Sequence, residues 1–213
     1  MIKKDKIKSY AFFGLGFVVM SFGISMSIRA DIGVAPGSSI AYAVSKLTPL
    51  SVGWCTSFFH ISCILAQLAI KRRHLLKLVL QFPLVYVFGR LIDLFYGLLE
   101  SNLPTLLHRI IFLVIGMLIF SLGIRIIVGA DILLLPPDAL ALTIGGFFSW
   151  PMSKCKLASD IVLTAAAILL MLVFSGDIFS VIGIGTVICA VATGPIIGLF
   201  TKLLPFFDIG KNA

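Results

Sequence analysis

Six stretches of this 213-residue chain are apolar over the length of a membrane span, and nothing else in the sequence restricts its fold so severely. They cover 10–28, 52–70, 75–99, 110–129, 157–174 and 178–204. A helix needs about 20 residues to cross a bilayer, and in hydrocarbon only a helix or a closed barrel satisfies every backbone donor and acceptor. With 60% hydrophobic and 12% charged residues, the chain carries more apolar surface than a soluble domain can hide. The expected fold is an all-α polytopic membrane protein of six transmembrane helices, which excludes a conventional cytosolic enzyme or a DNA-binding module.

Two shorter helices are expected over 36–47 and 136–147, each opening on a proline, which suits the first helical turn because no backbone donor is needed there. Neither is long enough to span. A formal charge of +8 would suggest nucleic acid if the basic residues formed one patch. They instead flank apolar runs: Lys3, Lys4, Lys6 and Lys8, then Lys71, Arg72 and Arg73, then Lys154 and Lys156, then Lys202 and Lys211. That distribution places both termini in the cytoplasm, with only Arg29, Lys46 and Arg109 on the outer side. No nucleic-acid partner is expected.

The sequence repeats at an offset of one hundred. Ser21, Gly23, Ile24, Ala30, Asp31, Ile32 and Pro36 fall over Ser121, Gly123, Ile124, Ala130, Asp131, Ile132 and Pro136, and the match runs on through Cys55 with Cys155 and Ile61 with Ile161. The first span, with its basic tail, therefore has a retained counterpart, which argues against a cleaved signal segment. The expected organisation is a cytoplasmic basic tail over 1–9, repeat 1 over 10–99, a connection over 100–109, repeat 2 over 110–204 and a cytoplasmic tail over 205–213. Three spans per half force the second half to enter the membrane from the opposite side, so the repeats are expected to be inverted, as in many secondary transporters.

Asp31 and Asp131 occupy matching places after the first helix of each half, and an acidic group near hydrocarbon depth must face water, a cation or a backbone donor. Substrate binding and capping of the turn both fit them. The starts of the short helices are a second candidate, since free backbone donors and the positive dipole end form an anion site. Pro36 is followed by Gly37, Ser38 and Ser39, which allow close approach and add hydroxyls; Pro136 is followed by Pro137 and Asp138, which would repel an anion. His60 and Asp160 align inside apolar runs and are candidates for a proton relay, although Asp160 also stands four residues from Lys156. Arg90 and Asp93 share a helical face, either to grip a carboxylate or phosphate or to neutralise each other. Gly183 and Gly185 read as close packing in the last span, Pro195 as a kink, and the four cysteines as small buried residues.

Ala30-Asp31-Ile32-Gly33-Val34-Ala35-Pro36, its echo at Ala130-Asp131-Ile132, the stretch Arg90 to Phe95, and Gly183-Ile184-Gly185-Thr186 followed by Gly194-Pro195 resemble the YczE/YyaS/YitT family of bacterial integral membrane proteins. The resemblance runs from the first span to the sixth. It implies a helical fold in the bacterial cytoplasmic (inner) membrane and leaves the substrate open. The chain departs from the family pattern at Gly37, where an aromatic often follows the proline, and at Leu80-Gln81-Phe82, where the first half lacks its own Gly-x-Gly-Thr.

The expected function is a secondary transporter or permease for a small polar metabolite or ion, with alternating access about a midplane site. The alternative is a membrane scaffold or sensor docking on a partner through Gly183 and Gly185. Catalytic residues, a metal site and a cofactor are not expected, since His60 with Asp160 or Ser62 makes a thin catalytic set. The lipid bilayer and a small-molecule or ion substrate are the expected partners, and a homo-oligomer is left open.

Overall fold

A computed structural model describes residues 2–70, 75–99 and 102–205, with side chains apart from those of 2–7, 75–78, 80, 152 and 153. The Lys71 to Arg73 connection and the tail carrying Lys211 lie outside the described residues. Eight α-helices follow one another among the described residues: α1 (Ile2–Arg29), α2 (Pro36–Leu47), α3 (Val52–Ile70), α4 (Leu75–Leu98), α5 (Leu106–Ala130), α6 (Pro136–Gly145), α7 (Met152–Phe174) and α8 (Ile184–Leu203). Among the described residues five stretches are long and apolar enough to cross a membrane, namely Lys8–Arg29 in α1, α3, α5, Lys154–Phe174 in α7, and α8. The 24-residue α4 has the length of a span and carries Arg90, Asp93, Gln81 and Pro83.

Two expected boundaries are corrected. The span expected over 178–204 is broken: a 3-10 turn, Ile178–Ser180, precedes α8, and Gly183 between them is extended at φ −142°. The short helix expected over 136–147 ends at Gly145 and tightens into a 3-10 turn, Gly146–Phe148, stopped by Ser149 in the left-handed region at φ 53°. Consecutive glycines weaken an α-helix at that point, where the Trp150 amide turns back to donate to the Gly145 carbonyl.

The most extensive packing joins α1 to α5. Gly16 faces Ile127, Met20 faces Gly123, Gly23 faces Phe120 and Ser27 faces Gly116, so one number falls as the other rises and the helices run antiparallel. Glycine is required at this crossing because a Cβ on Gly23 would come within 2.3 Å of the Phe120 nitrogen. Small residues let two helices approach closely where hydrophobic attraction between them is absent. The crossing centres on Ser21 and Ser121, both fully buried, whose hydroxyls donate to Val18 and Met117 carbonyls of their own helices.

Around this crossing the contacts come in matched sets. α4 packs on α1 as α8 packs on α5, and each short helix packs on the third helices of both halves, α3 and α7, whereas α3 packs on α4 with no comparable packing of α7 on α8 among the described residues. Arg29 of α1 donates to the carbonyls of Tyr96 and Leu99 at the end of α4, the latter at 3.3 Å. Arg125 of α5, 1% exposed, donates at 3.0 Å to the Leu204 carbonyl at the end of α8. Each arginine thus meets the negative dipole end of a helix that has run out of amide partners.

Candidate functional site

The chain turns after α1 and α5 in the same way. Asp31 and Asp131 both adopt the left-handed conformation, φ 52° and 51°, and their amides donate to Ile28 and Val128 carbonyls. Aspartate is one of the few side chains that visits this region readily. Because α1 and α5 are antiparallel, these residues lie at opposite ends of the bundle, about 30 Å apart at 1.5 Å rise per residue. The expectation that they surround one midplane site is therefore corrected. The Asp31 carboxylate accepts a bond from Tyr42 at 3.1 Å and pairs with Lys46 at 3.4 Å and Arg109 at 3.5 Å in a half-exposed cluster. Asp131 is exposed.

From each aspartate an extended segment leads back to the level of the crossing, where α2 and α6 begin. The first of these segments is held as if by a strand partner: Val34 donates to the Val181 carbonyl at 3.3 Å, and Gly185 donates to that of Ile32 at 2.8 Å. This explains the glycines before and within α8. A Cβ on Gly183 would stand 2.4 Å from the Ile32 oxygen, so Gly183 and Gly185 face the chain's own backbone, and the docking face expected of them is corrected. Gly33 itself sits at φ 110°, which favours glycine.

Both short-helix starts line one central cavity of about 50 Å³, closed by Met20 and Ile24 of α1 and by Phe120 and Ile124 of α5. Gly37 and Ser38 come from α2, Pro137 and Asp138 from α6, His60 from α3 and Lys156 from α7. The Lys156 amine lies 3.1 Å from Asp138 and 2.9 Å from Asp160, and 3.8 Å from the position a Cβ on Gly37 would occupy. One amine thus bridges α7 to the start of α6 while standing over the start of α2. His60 is 6% exposed, its ring lies parallel to Phe88 with centroids 5.8 Å apart, and its Nδ1 has no hydrogen-bond partner. Neither short helix has a side-chain cap.

The other candidates separate from this centre. Ser39 is fully buried and donates to the Pro36 carbonyl at 2.7 Å and to that of Leu163 at 3.2 Å, which fastens α2 to α7. Asp160 gives its carboxylate to Lys156, so the spacing read as an ordinary helical pair is the one formed. Arg90 and Asp93 pair at 2.8 Å, and Asp93 also accepts from the Gly53 amide at 2.7 Å and the Ser51 hydroxyl at 2.6 Å, where it caps α3. The Arg90 guanidinium lies 4.1 Å over the Trp54 ring, in the wall of an open vestibule of about 760 Å³ with Tyr42, Lys46 and Tyr96. The sequence marks Lys156 as a topology signal and a partner of Asp160, and Asp138 as an obstacle to anions; it does not bring Asp138 to Lys156. A lysine four residues before an aspartate in an apolar run was the available sign. Among the described residues no three His, Cys, Asp or Glu side chains converge as a metal site.

The family model described as "Family of unknown function (DUF6198)" matches residues 7–202. The chain is similar to "Uncharacterized protein YyaS" of Bacillus subtilis (strain 168), 24% identical over 95% of this chain and 97% of that protein. It is also similar to "Uncharacterized membrane protein YczE" of the same organism, 23% identical over 92% of this chain and 86% of that protein. Both names belong to the family that the aspartate, proline and glycine motifs resemble. No solved structure matches.

Proposed function

The chain belongs to the DUF6198 family of unknown function, and from that premise we propose that it is a permease that carries a small polar solute across the bacterial inner membrane. One observation carries this reading: two helix starts of unlike chemistry meet around a cavity at the level of the α1–α5 crossing, with Lys156 between them. Free amide donors, a dipole end and ionised side chains in the middle of an apolar bundle are costly unless a ligand or water completes them.

We read the chain as two inverted repeats of three spans each, with α4 as the sixth span. The antiparallel crossing centred on Ser21 and Ser121, the packing of each short helix against both α3 and α7, and the paired roles of Arg29 and Arg125 support that organisation. Alternating access then consists of opening the central cavity first toward the Asp31 end and then toward the Asp131 end. The basic flanks favour cytoplasmic termini. We read the chain as a carrier and not as an enzyme.

The test is solute uptake into proteoliposomes holding the purified chain, against a panel of small polar solutes. Uptake that is lost in Asp138→Asn and kept in Asp31→Asn supports the central site. If no solute moves and a membrane partner co-purifies in fixed ratio, the scaffold reading replaces it.

A further inference from the structure

The two short helices present opposite chemistry to the same cavity. α2 offers donors: the Gly37 amide, since Pro36 has no N–H and the Ser38 amide donates to the Ala35 carbonyl at 2.9 Å, the Ser38 hydroxyl, and open space at Gly37, beside which a Cβ would meet nothing within 4 Å except the Lys156 amine. α6 offers an acceptor: Pro136 and Pro137 have no N–H, and Asp138 adds a carboxylate. A helix start with open donors is an anion site by geometry and dipole. The second sign of a ligand there is His60, 6% exposed on the cavity wall with Nδ1 unpartnered, since buried polar atoms without a partner are rare.

The charges also fall short by one. Asp138 and Asp160 share the single Lys156 amine, and no other lysine or arginine is among the described residues lining the cavity. A ligand ammonium gives each of the two carboxylates a cation of its own, and a carboxylate on the same ligand is left to the donors at the start of α2. Lys156 can release Asp138 and keep Asp160, its partner one helical turn on, because its side chain is 44% exposed and not locked in the core.

Next to the polar cavity lies an apolar pocket of about 350 Å³ between α3, α6 and α7, and the two share Phe59 and Pro137. Leu140, Ile144 and Val162 line it. Ligand sites commonly combine an apolar volume with a few converging polar groups. Resting on the permease reading, we infer that the central site takes an amino acid with an apolar side chain. Its ammonium takes the place of Lys156 on Asp138, its carboxylate lies at the start of α2 beside Ser38 and His60, and its side chain enters the pocket.

The experiment is calorimetric titration of the full chain in detergent with four probes: leucine, glycine, 4-methylpentanoate and 3-methylbutylamine. Leucine binds tightest, and each of the other three, lacking one recognised group, binds about tenfold or more weakly. In Asp138→Asn, leucine and the amine weaken while the acid is unchanged; in Ser38→Ala, leucine and the acid weaken while the amine is unchanged. If a variant does not fold, the four probes on the unaltered chain decide. The acid or the amine binding as tightly as leucine overturns the inference, and so does the absence of leucine binding. Leucine that binds without exchanging across proteoliposomes keeps this site and sinks the permease reading. Exchange of another solute by a chain that does not bind leucine does the reverse.

Discussion

Asp31 and Asp131 share one backbone conformation, φ 52° and 51°, yet end antiparallel helices and therefore stand at opposite ends of the bundle. Their duplication reflects a duplicated turn. An ordinary L-residue in the left-handed region costs about 1–2 kcal/mol, which glycine and asparagine largely avoid. Asp131→Gly and Asp131→Asn are expected to melt within a degree or two of the unaltered chain, and Asp131→Ala measurably lower. Equal melting of all three in detergent would show that the turn does not select the residue.

The backbone contact between Gly185 and Ile32 makes a sharper demand. Gly183→Ala places a methyl 2.4 Å from the Ile32 oxygen, and the backbone on both sides has to move. Overpacking of this kind costs about 1–3 kcal/mol. Gly194→Ala, with nothing within 4 Å of its Cβ, is the control. Gly183→Ala is expected to reduce monodisperse yield on size exclusion and Gly194→Ala to leave it unchanged; the opposite order would refute the packing assigned to α8.

Asp93 joins α3 to α4 through the Gly53 amide and the Ser51 hydroxyl as well as through Arg90. Removing a helix cap costs about 1 kcal/mol. Asp93→Ala is therefore expected to lower the melting temperature more than Arg90→Gln, whose ring contact with Trp54 lies at the vestibule wall. A larger loss from Arg90→Gln would mean that the guanidinium, and not the cap, holds this end of the bundle.

Lys156, Asp138 and Asp160 act as one electrostatic unit. Lys156→Met leaves two facing carboxylates without their cation and is expected to destabilise the fold; adding Asp138→Asn is expected to recover part of the loss. The coupling in that double-mutant cycle should be about 1 kcal/mol. Strict additivity of the two changes would dissolve the triad.

How much of this was legible beforehand follows from which interactions are local. Hydropathy over about 20 residues marks a span wherever it occurs, because the bilayer imposes it on each segment separately. Prolines at 36 and 136 marked the short helices for the same reason: proline acts on its own turn. The Lys156 to Asp160 pair was readable at i,i+4 spacing. The arrival of Asp138 at that pair was not, since it depends on α6 returning to the level of the crossing and on α7 lying beside it.

The sequence by itself determined an all-helical membrane protein with duplicated turns, because those properties are written in hydropathy, proline and aspartate over short windows. Only the tertiary structure decided that the two aspartates part to opposite ends, that Gly183 and Gly185 face the chain's own backbone, and that His60, Ser38, Asp138 and Lys156 meet at one cavity. Those relations join residues eighteen or more positions apart, and the antiparallel crossing of α1 and α5 and the packing of the short helices between the third helices of both halves set them.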